Sequence, residues 1–496
     1  LGLSGPNVLK PEMVKRMSSQ PIIFALANPT PEILPDLARE AAPDAIIATG
    51  RSDFPNQVNN VLCFPFIFRG ALDAGATEIN DQMQIACVEG IANLARETTS
   101  AEAAAAYKGE QLTFGVDYLI PKPFDPRLVA VVSSAVAGAA MTSGVATKHI
   151  DDIEAYKQKL NQTVFKSALL MRPVFEAARA ASRQIVFAEG EDDRVLRATQ
   201  AILEDTTDTP ILIGRPEVID RRCEKLGLTV RPGQDFQIVN PENDPRYYDY
   251  WNSYYQLMKR KGVTPDLAKA IMRTNTTAIA AIMVHREEAD SLICGTFGEY
   301  RWHLDYVTQV LGTDKLRPHG ALSLVILEDG PLFIADTFVH QLPQPENLAE
   351  ISIGAARHVR RFGLEPKVAF CSQSQFGNQS EGSGKRLRDA IAILDSQNRD
   401  FVYEGEMNVD TAMMPELRKR AFPDSRLEGA ANVLIFAHAD AASAVRNILK
   451  SRANGLEVGP ILMGMGNRAH IVSPSISARG LLNMSAIAGT PVAEYG

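Results

Sequence analysis

Short apolar runs, each ending in a polar turn and mostly followed by a helical stretch, recur along almost the whole chain. Examples are PIIFALANP (21–29), DAIIATG (44–50), TPILIG (209–214), KVAFCS (367–372) and ANVLIFA (431–437). Apolar runs of this length, separated by helices, are typical of buried parallel strands joined by crossover connections. The sequence therefore predicts the α/β fold class.

The bulk properties exclude several classes of protein. At 496 residues the chain is too long for one core, so more than one domain is predicted. The net charge of −8 argues against a nucleic-acid-binding protein, which would normally have a basic surface. Five scattered cysteines without CxxC pairs predict reduced thiols in a cytoplasmic protein. The uncharged run 128–146 is dominated by Ala, Ser, Gly and Thr, which favours a helix packed inside protein over a membrane span.

The domain organisation follows from changes in the pattern along the chain. An α/β part is predicted over residues 1–150, a helical connector over 151–170, and a two-lobed α/β part over 171–496. Lobe I is placed at about 171–318 and 455–496, and lobe II at about 319–454. The chain begins LGLSGPNVLKPEMV, with no initiator Met, and is expected to continue a longer protein.

Neutral amide side chains cluster after the first two predicted strands. Asn28 follows one strand, and Asn59 and Asn60 follow the next. Ligands of open α/β sheets bind at the carboxyl ends of strands, and amides there can bind a carboxylate or a carboxamide. From composition alone, ordinary turn formation by Asn and Pro is the preferred explanation.

Three segments of this first part resemble bacterial NADP-linked malic enzymes. They are FALANPTPEI (24–33), ATGRSDFPNQVNNVLCFPFIFRGALD (48–73) and IPKPFDPRL (120–128). The resemblance implies the end of a Rossmann-type NAD(P)-binding domain, in which Asn28, Asn59 and Asn60 contact the nicotinamide and the substrate. It implies NADP as cofactor and malate and pyruvate as substrates. It also implies that the catalytic acid/base pair and the ligands of a divalent cation, Mg or Mn, precede Leu1, so this chain would carry no catalytic or metal-binding residue.

The second part resembles phosphate acetyltransferases from about Met171 onward. The matching segments are RQIVFAEGEDDRVLRA (183–198), EGEMNVDTAMMPELRKR (404–420), EGAANVLIFAHADAASAVRNIL (428–449) and VGPILMGM (458–465). The resemblance implies two α/β lobes with coenzyme A and acetyl phosphate meeting in the cleft between them. The order of the two parts is that of the bacterial hybrid malic enzymes.

One loop of the transferase-like part departs from that family. In HIVSPSISARG (470–480), Ser473 keeps the family's serine, but Pro474 replaces its arginine and Gly480 its catalytic aspartate. Neither residue can supply a guanidinium or a carboxylate, although Arg479 lies nearby. We therefore expect a catalytically degenerate cleft that binds acetyl-CoA as an allosteric effector. The candidate effector-cleft residues are Thr296, Tyr300, Ser372, Ser374, Ser473 and Arg479.

Structural roles compete with functional ones at three segments of the transferase-like part. ICGTFGEYRWHLD (293–305) also fits a solvated turn and an amphipathic helix, and His303 is predicted to be a hydrogen-bonded structural histidine. CSQSQFGNQSEGSGK (371–385) suits a phosphate or a pantetheine arm, and equally a plain loop. The acids of EGEDDR (189–194) are predicted to serve a helix N-terminus and lobe–lobe salt bridges, not a metal.

Three functions remain open on the sequence alone. The first is an oxidoreductase whose transferase-like domain is regulatory. The second is an active phosphate acetyltransferase. The third is a non-catalytic oligomerisation module, since homo-oligomers are expected from both resemblances.

Overall fold

The computed structural model describes residues 1–27, 30–51, 54–97, 113–123, 125, 127–313, 317, 319–327, 330–397, 399–453 and 456–490, with the backbone alone for 159 and 161–169. The chain divides into two compact units, Leu1–Leu169 and Leu170–Gly496. Each unit has hydrophobic cores of its own.

The first unit is built on a pair of parallel strands, β1 (Ile22–Ala25) and β2 (Ile46–Thr49). Ile23 and Ile47 are opposite each other and both buried, which confirms the buried parallel strands predicted from the two apolar runs. The helices of this unit are α1 (Pro11–Val14), α2 (Pro35–Ala41), α3 (Phe64–Asp73), α4 (Asp81–Arg96) and α5 (Arg127–Thr142).

Helix α5 lies almost wholly within the uncharged run 128–146, and most of its side chains are buried. Helix α3 approaches it closely at Gly70, where an added Cβ would lie 2.4 Å from the carbonyl oxygen of Ser133 on α5. The predicted helix packed inside protein is confirmed. Among the described residues, no helix combines the length and the apolar character needed to cross a membrane.

Helix α6 (Ile153–Ala181) continues across the boundary between the two units. The predicted connector of residues 151–170 supplies its first part. Tyr156 packs on the core of the first unit, and Val174 and Phe175 belong to the core of the second.

The second unit contains two sheets and the helices that cover them. Its strands are β3 (Gln184–Phe187), β4 (Thr209–Ile213), β5 (Gln237–Val239), β6 (Ser291–Cys294), β7 (Gly320–Leu327), β8 (Gly330–Ala335), β9 (Lys367–Cys371), β10 (Val402–Met407), β11 (Val433–Phe436), β12 (Leu456–Met463) and β13 (Ala469–Ile471). Its helices are α7 (Asp193–Asp205), α8 (Pro216–Leu226), α9 (Tyr247–Met258), α10 (Pro265–Thr274), α11 (Thr276–His285), α12 (Tyr300–Leu311), α13 (Pro345–Arg361), α14 (Gly382–Ser396), α15 (Val409–Met413), α16 (Pro415–Ala421), α17 (Ala439–Arg452) and α18 (Ala478–Gly489).

Each sheet defines one lobe of this unit. The first lobe has five parallel strands in the order β13–β6–β3–β4–β5. The second lobe has six strands in the order β10–β9–β11–β8–β7–β12, of which the first four run parallel. The predicted α/β class is confirmed.

One strand lies in a different lobe from the one predicted. The sequence placed everything after about residue 455 in the first lobe, but β12 pairs antiparallel with β7 and completes the sheet of the second lobe. Val458 lies opposite Leu324 in this pair. The chain returns to the first lobe only afterwards, at β13, because the partner of a strand is set by tertiary pairing and not by its own apolar pattern.

Candidate ligand-binding sites

The amide cluster of the first unit follows β2. Asn59 is half-buried, and its side-chain oxygen accepts a hydrogen bond from the amide of Val61 at 2.9 Å, so it caps a short 3₁₀ turn, Asn60–Leu62. Asn60 is exposed at the start of that turn. Asn28, the third predicted residue, lies outside the described residues.

A further amide of the cluster, Asn56, has a structural role that the sequence did not distinguish. It is 4% exposed and has a positive φ of 52°. Its side chain donates to the carbonyls of Ile47 (3.0 Å) and Val116 (2.7 Å) and accepts from the amide of Leu119 (2.7 Å). It therefore fixes the loop that carries Asn59 and Asn60. The signal available was the Pro–Asn dipeptide, since Asn tolerates a left-handed turn.

In the second unit, the carboxyl ends of β3 and β6 are joined through Glu189. Its buried carboxylate accepts hydrogen bonds from the amides of Gly295 (3.1 Å) and Thr296 (3.4 Å). Burial raises the pKa of Glu189 from 4.5 to about 7, although the two amides act in the opposite direction. This carboxyl holds the loop that begins the predicted cleft segment 293–305.

His303 lies fully buried beside this loop. Its Nε2 donates to the carbonyl oxygen of Phe297 at 2.8 Å, so its Nδ1 accepts from the hydroxyl of Thr277 at 2.8 Å. Burial lowers the pKa of His303, which keeps the ring neutral. The prediction of a hydrogen-bonded structural histidine is confirmed.

Arg194 connects three loops of the first lobe. Its guanidinium binds Asp192 through two nitrogens and donates to the carbonyls of Thr296 (2.8 Å), Pro474 (2.6 Å) and Ile476 (3.0 Å). The loops that carry Thr296 and Ser473 are thereby held side by side. Because Arg194 is far from both loops in sequence, no local pattern pointed to it.

The acids of segment 189–194 have the structural partners that were predicted, with one correction. Asp192 caps α7 by accepting from the amide of Arg194 at 2.8 Å. Glu191 binds Arg215 through both oxygens, at 2.9 Å each. These contacts lie within the first lobe, so the prediction of lobe–lobe salt bridges was wrong for this pair. Arg215 precedes α8 and reaches back across the strand ends, which is geometry the sequence does not encode.

Contacts between the lobes are made instead through Ser475 and Lys450. Ser473 is 9% exposed, and its hydroxyl lies 3.1 Å from that of Ser475. The Nζ of Lys450, on α17 of the second lobe, donates to Ser475 at 3.0 Å and to Glu457 at 2.7 Å. Arg479 is exposed on the first turn of α18.

An aromatic stack also spans the two lobes. The ring of Tyr300 stacks on Phe338, with centroids 4.5 Å apart and planes at 19°. Arg446 lies over the same Phe338 ring at 4.9 Å and binds the buried Glu457 at 2.5 Å. The Tyr300 hydroxyl is buried and has no hydrogen-bond partner among the residues that the structure describes. Burial raises the pKa of Tyr300, so this hydroxyl stays protonated and can act as a donor.

Two predicted cleft residues lie at the end of β9 in the second lobe. The Ser372 hydroxyl is 3.1 Å from that of Ser383, at the start of α14. Ser374 is fully buried and donates to Glu406 at 2.5 Å. The same Glu406 oxygen accepts from Arg388 at 2.7 Å, whereas its other oxygen has no partner among the described residues. Thus Arg194 holds the loops of Thr296 and Ser473 side by side, Tyr300 begins α12 of the same lobe, and Ser372 and Ser374 lie on the other lobe.

Comparison with known proteins gives two family matches. Residues 169–489 match the family "Phosphate acetyl/butaryl transferase", and residues 1–107 match "Malic enzyme, NAD binding domain". The NAD-dependent malic enzyme of Rhizobium meliloti (strain 1021) is 52% identical over 490 residues, covering 98% of this chain and 64% of that protein. The NADP-dependent malic enzyme of Salmonella typhimurium is 51% identical over 490 residues, covering 98% of this chain and 65% of that protein.

This chain belongs to the phosphate acetyl/butaryl transferase family, whose model matches residues 169–489, and its first 107 residues match the NAD-binding domain of malic enzymes. Both resemblances given by the sequence are confirmed. The chain spans 64% and 65% of the length of these two curated relatives. A phosphotransacetylase from Streptococcus pyogenes has the same fold as the second unit, with a TM-score of 0.59 and 24% identity over 64% of this chain and 98% of that one.

Proposed function

We propose that this chain is part of an NADP-dependent malic enzyme, which oxidises malate and releases CO2 to give pyruvate. The 52% and 51% identity to two malic enzymes supports this activity. One of these relatives is named for NAD and the other for NADP, so the choice of NADP follows the resemblance of the loop segments.

The role proposed for the first unit is to bind and orient the nicotinamide and the substrate through Asn28, Asn59 and Asn60. The cap formed by Asn59 fixes the turn on which Asn60 is exposed. The chemistry also needs a base for the hydroxyl and a cation that polarises the ketone. The described residues contain no cluster of three His, Cys, Asp or Glu side chains that could hold a metal ion. The proposal includes a Mg or Mn ion, as the resemblance to malic enzymes implies.

Malate-dependent reduction of NADP by the full-length protein tests this proposal. Asn60→Ala is expected to lower kcat/KM for malate without changing the free energy of unfolding, because the side chain is exposed. The matched control, Asn56→Ala, is expected to lower stability, because it removes three buried hydrogen bonds. A full-length wild-type protein that reduces neither NADP nor NAD in the presence of malate would contradict the proposal.

For the second unit we propose binding of acetyl-CoA as an allosteric effector, without acetyl transfer. The loop at Ser473–Gly480 carries this proposal. Pro474 supplies no cation for a phosphate, and its carbonyl is already held by Arg194. A Cβ added to Gly480 would lie 2.7 Å from Cγ1 of Ile476, so an acidic residue there would require the Ile476 side chain to move.

Two of the cations that touch this loop are engaged by carboxylates, whereas a third, Arg479, is exposed within it. Arg194 is paired with Asp192 at 2.7 Å, and Lys450 with Glu457 at 2.7 Å, a carboxylate that Lys450 shares with Arg446. Transfer of acetyl between phosphate and a thiol needs an available cation and a base for the thiol. These ion pairs favour a binding role over a catalytic one.

The proposed effector site comprises the six residues predicted from the sequence. Its first-lobe members are Thr296, Tyr300, Ser473 and Arg479, and its second-lobe members are Ser372 and Ser374. The hydroxyl of Tyr300 has no hydrogen-bond partner in the described ranges, and a ligand that accepts a hydrogen bond from it would stabilise the bound state. A ligand that contacts both lobes biases their closure, which is the physical basis for regulation of the malic enzyme part.

Isothermal titration calorimetry with acetyl-CoA tests the effector site. Binding at sub-millimolar concentration is expected, with weaker binding for Ser473→Ala. The control Ser451→Ala changes an exposed serine of α17 and is expected to bind as the wild type does. No heat of binding at millimolar acetyl-CoA would contradict the proposal. The proposal also includes a cytoplasmic location and assembly into a homo-oligomer. Analytical ultracentrifugation tests the oligomeric state.

A further inference from the structure

Two cysteines of the first unit lie in direct contact. The Sγ atoms of Cys63 and Cys87 are 3.2 Å apart, and both residues are free thiols. Cys63 is half-buried at the junction between the 3₁₀ turn Asn60–Leu62 and α3. Cys87 lies in the middle of α4 and is 1% exposed. The pair therefore connects the amide loop to a helix of the core.

The environment of the pair favours reaction at Cys63. The thiol of Cys87 donates a hydrogen bond to the sulfur of Cys63. This hydrogen bond lowers the pKa of Cys63, because it stabilises the thiolate. The thiolate is the nucleophile in disulfide exchange, and Cys63 is the more exposed of the two. Cys63 is thus suited to attack, and Cys87 to resolve.

We propose that Cys63 and Cys87 are a redox modification site, and that their reversible disulfide displaces the turn carrying Asn59 and Asn60. A disulfide brings two sulfurs to about 2.05 Å, so the pair must close by about 1.2 Å from its present 3.2 Å. Cys87 is held within α4 among buried side chains of the core. The movement therefore falls on Cys63, whose amide is bonded to the carbonyl of Asn60 at 3.1 Å.

The oxidant is a low-molecular-weight disulfide such as oxidised glutathione. The Cys63 thiolate attacks one sulfur, and the first glutathione leaves as a thiolate that takes up a proton. The Cys87 thiol then loses its proton and attacks the Cys63 sulfur, so the second glutathione leaves. Two electrons pass from the protein thiols to the added disulfide, which is reduced to two thiols.

The effect of this disulfide on catalysis rests on the proposed function of the amide loop, whereas its formation does not. The 496-residue chain is incubated with oxidised glutathione, and disulfide-linked peptides are mapped by mass spectrometry. We expect one linked peptide pair that joins Cys63 to Cys87 and disappears on reduction with dithiothreitol. Cys63→Ser and Cys87→Ser are expected to abolish it, and the control Cys223→Ser to leave it unchanged, because Cys223 is a buried free thiol on α8 of the other unit.

Hydrogen exchange of the oxidised and reduced wild-type chain tests the displacement. Amides 59–63 are expected to exchange faster in the oxidised form, while those of α18 in the second unit do not change. Recovery of Cys63 and Cys87 as free thiols, or of a mixed disulfide alone, would overturn the modification site. A Cys63–Cys87 disulfide with unchanged exchange at 59–63 would overturn the switch. Neither result depends on malate turnover, so it can be distinguished from failure of the proposed function.

Discussion

Removal of the Tyr300 hydroxyl is expected to stabilise the free protein and to weaken its binding of acetyl-CoA. The side chain is 8% exposed, and within the described part of the chain its hydroxyl has no hydrogen-bond partner. Tyr300→Phe keeps the ring that stacks on Phe338 at 4.5 Å and removes only the unpaired group. The two readouts move in opposite directions, because the hydroxyl costs stability when free and gains a partner when the ligand binds.

The magnitude follows from the burial of the hydroxyl. Leaving a buried polar group unpaired costs about 1–3 kcal/mol, so Tyr300→Phe is expected to raise the free energy of unfolding by about 1 kcal/mol or more. A hydrogen bond lost from the complex is worth about 1 kcal/mol. That difference corresponds to an increase of about fivefold in the Kd for acetyl-CoA.

Urea unfolding and calorimetry measure the two effects on the same preparations. The matched control is Tyr254→Phe, since Tyr254 is 1% exposed and its hydroxyl donates to Gln309 at 3.2 Å. This control is expected to lose about 1 kcal/mol of stability and to keep the affinity of the wild type. Destabilisation by Tyr300→Phe, alongside a control that behaves as expected, would refute the assignment of an unpaired hydroxyl. Unchanged affinity would refute its role in ligand binding.

Five further substitutions, arranged as three tests, examine stability. Burial raises the pKa of Glu189 from 4.5 to about 7, so the free energy of unfolding of the wild type falls as pH rises from about 4.5 to about 7. Glu189→Gln should remove about 3 kcal/mol of this pH dependence, measured by urea unfolding at a series of pH values. An unchanged dependence of stability on pH would contradict the raised pKa. Gly70→Ala should lower the free energy of unfolding by about 1–3 kcal/mol in thermal or urea unfolding, because its Cβ would meet a backbone oxygen of α5. Gly138→Ala should stabilise the protein, because there is open space around its Cβ. Equal effects of the two substitutions would contradict the close packing at Gly70. Arg446→Met should lower the free energy of unfolding by about 3 kcal/mol, because it breaks the buried ion pair with Glu457. Lys450→Met should lower it by less than about 1 kcal/mol, because Lys450 is more exposed. The reverse order would show that the buried pair is weaker than its geometry implies.

The fold was predictable where a strand is a continuous apolar run. Residues 21–29, 209–214 and 367–372 all form the strands expected of them, because such runs are stable only when both faces of a strand are buried. Strand β10 was missed, because Val402–Met407 includes Glu404 and Glu406, two buried acids. Those carboxylates are compensated by residues distant in sequence, so no local pattern indicates a strand.

The candidate sites were predictable only in part, for a related reason. The loops that carry Thr296 and Ser473 follow strands whose carboxyl ends meet at one edge of a sheet, as the α/β pattern implies. Phe338, Arg446 and Lys450 come from the other lobe, and their contacts depend on how two sheets pack together. Asn56 and Asn59 have the same chemistry, and only the backbone geometry separates the buried structural amide from the loop cap.

The most direct test of the central claim is an acetyltransferase assay. The purified 496-residue chain is incubated with acetyl phosphate and coenzyme A, and formation of acetyl-CoA is followed by the absorbance of its thioester. The account predicts no turnover above the uncatalysed rate, in a sample whose acetyl-CoA binding is detected by calorimetry. Sustained, enzyme-dependent formation of acetyl-CoA would contradict it and would favour an active phosphate acetyltransferase.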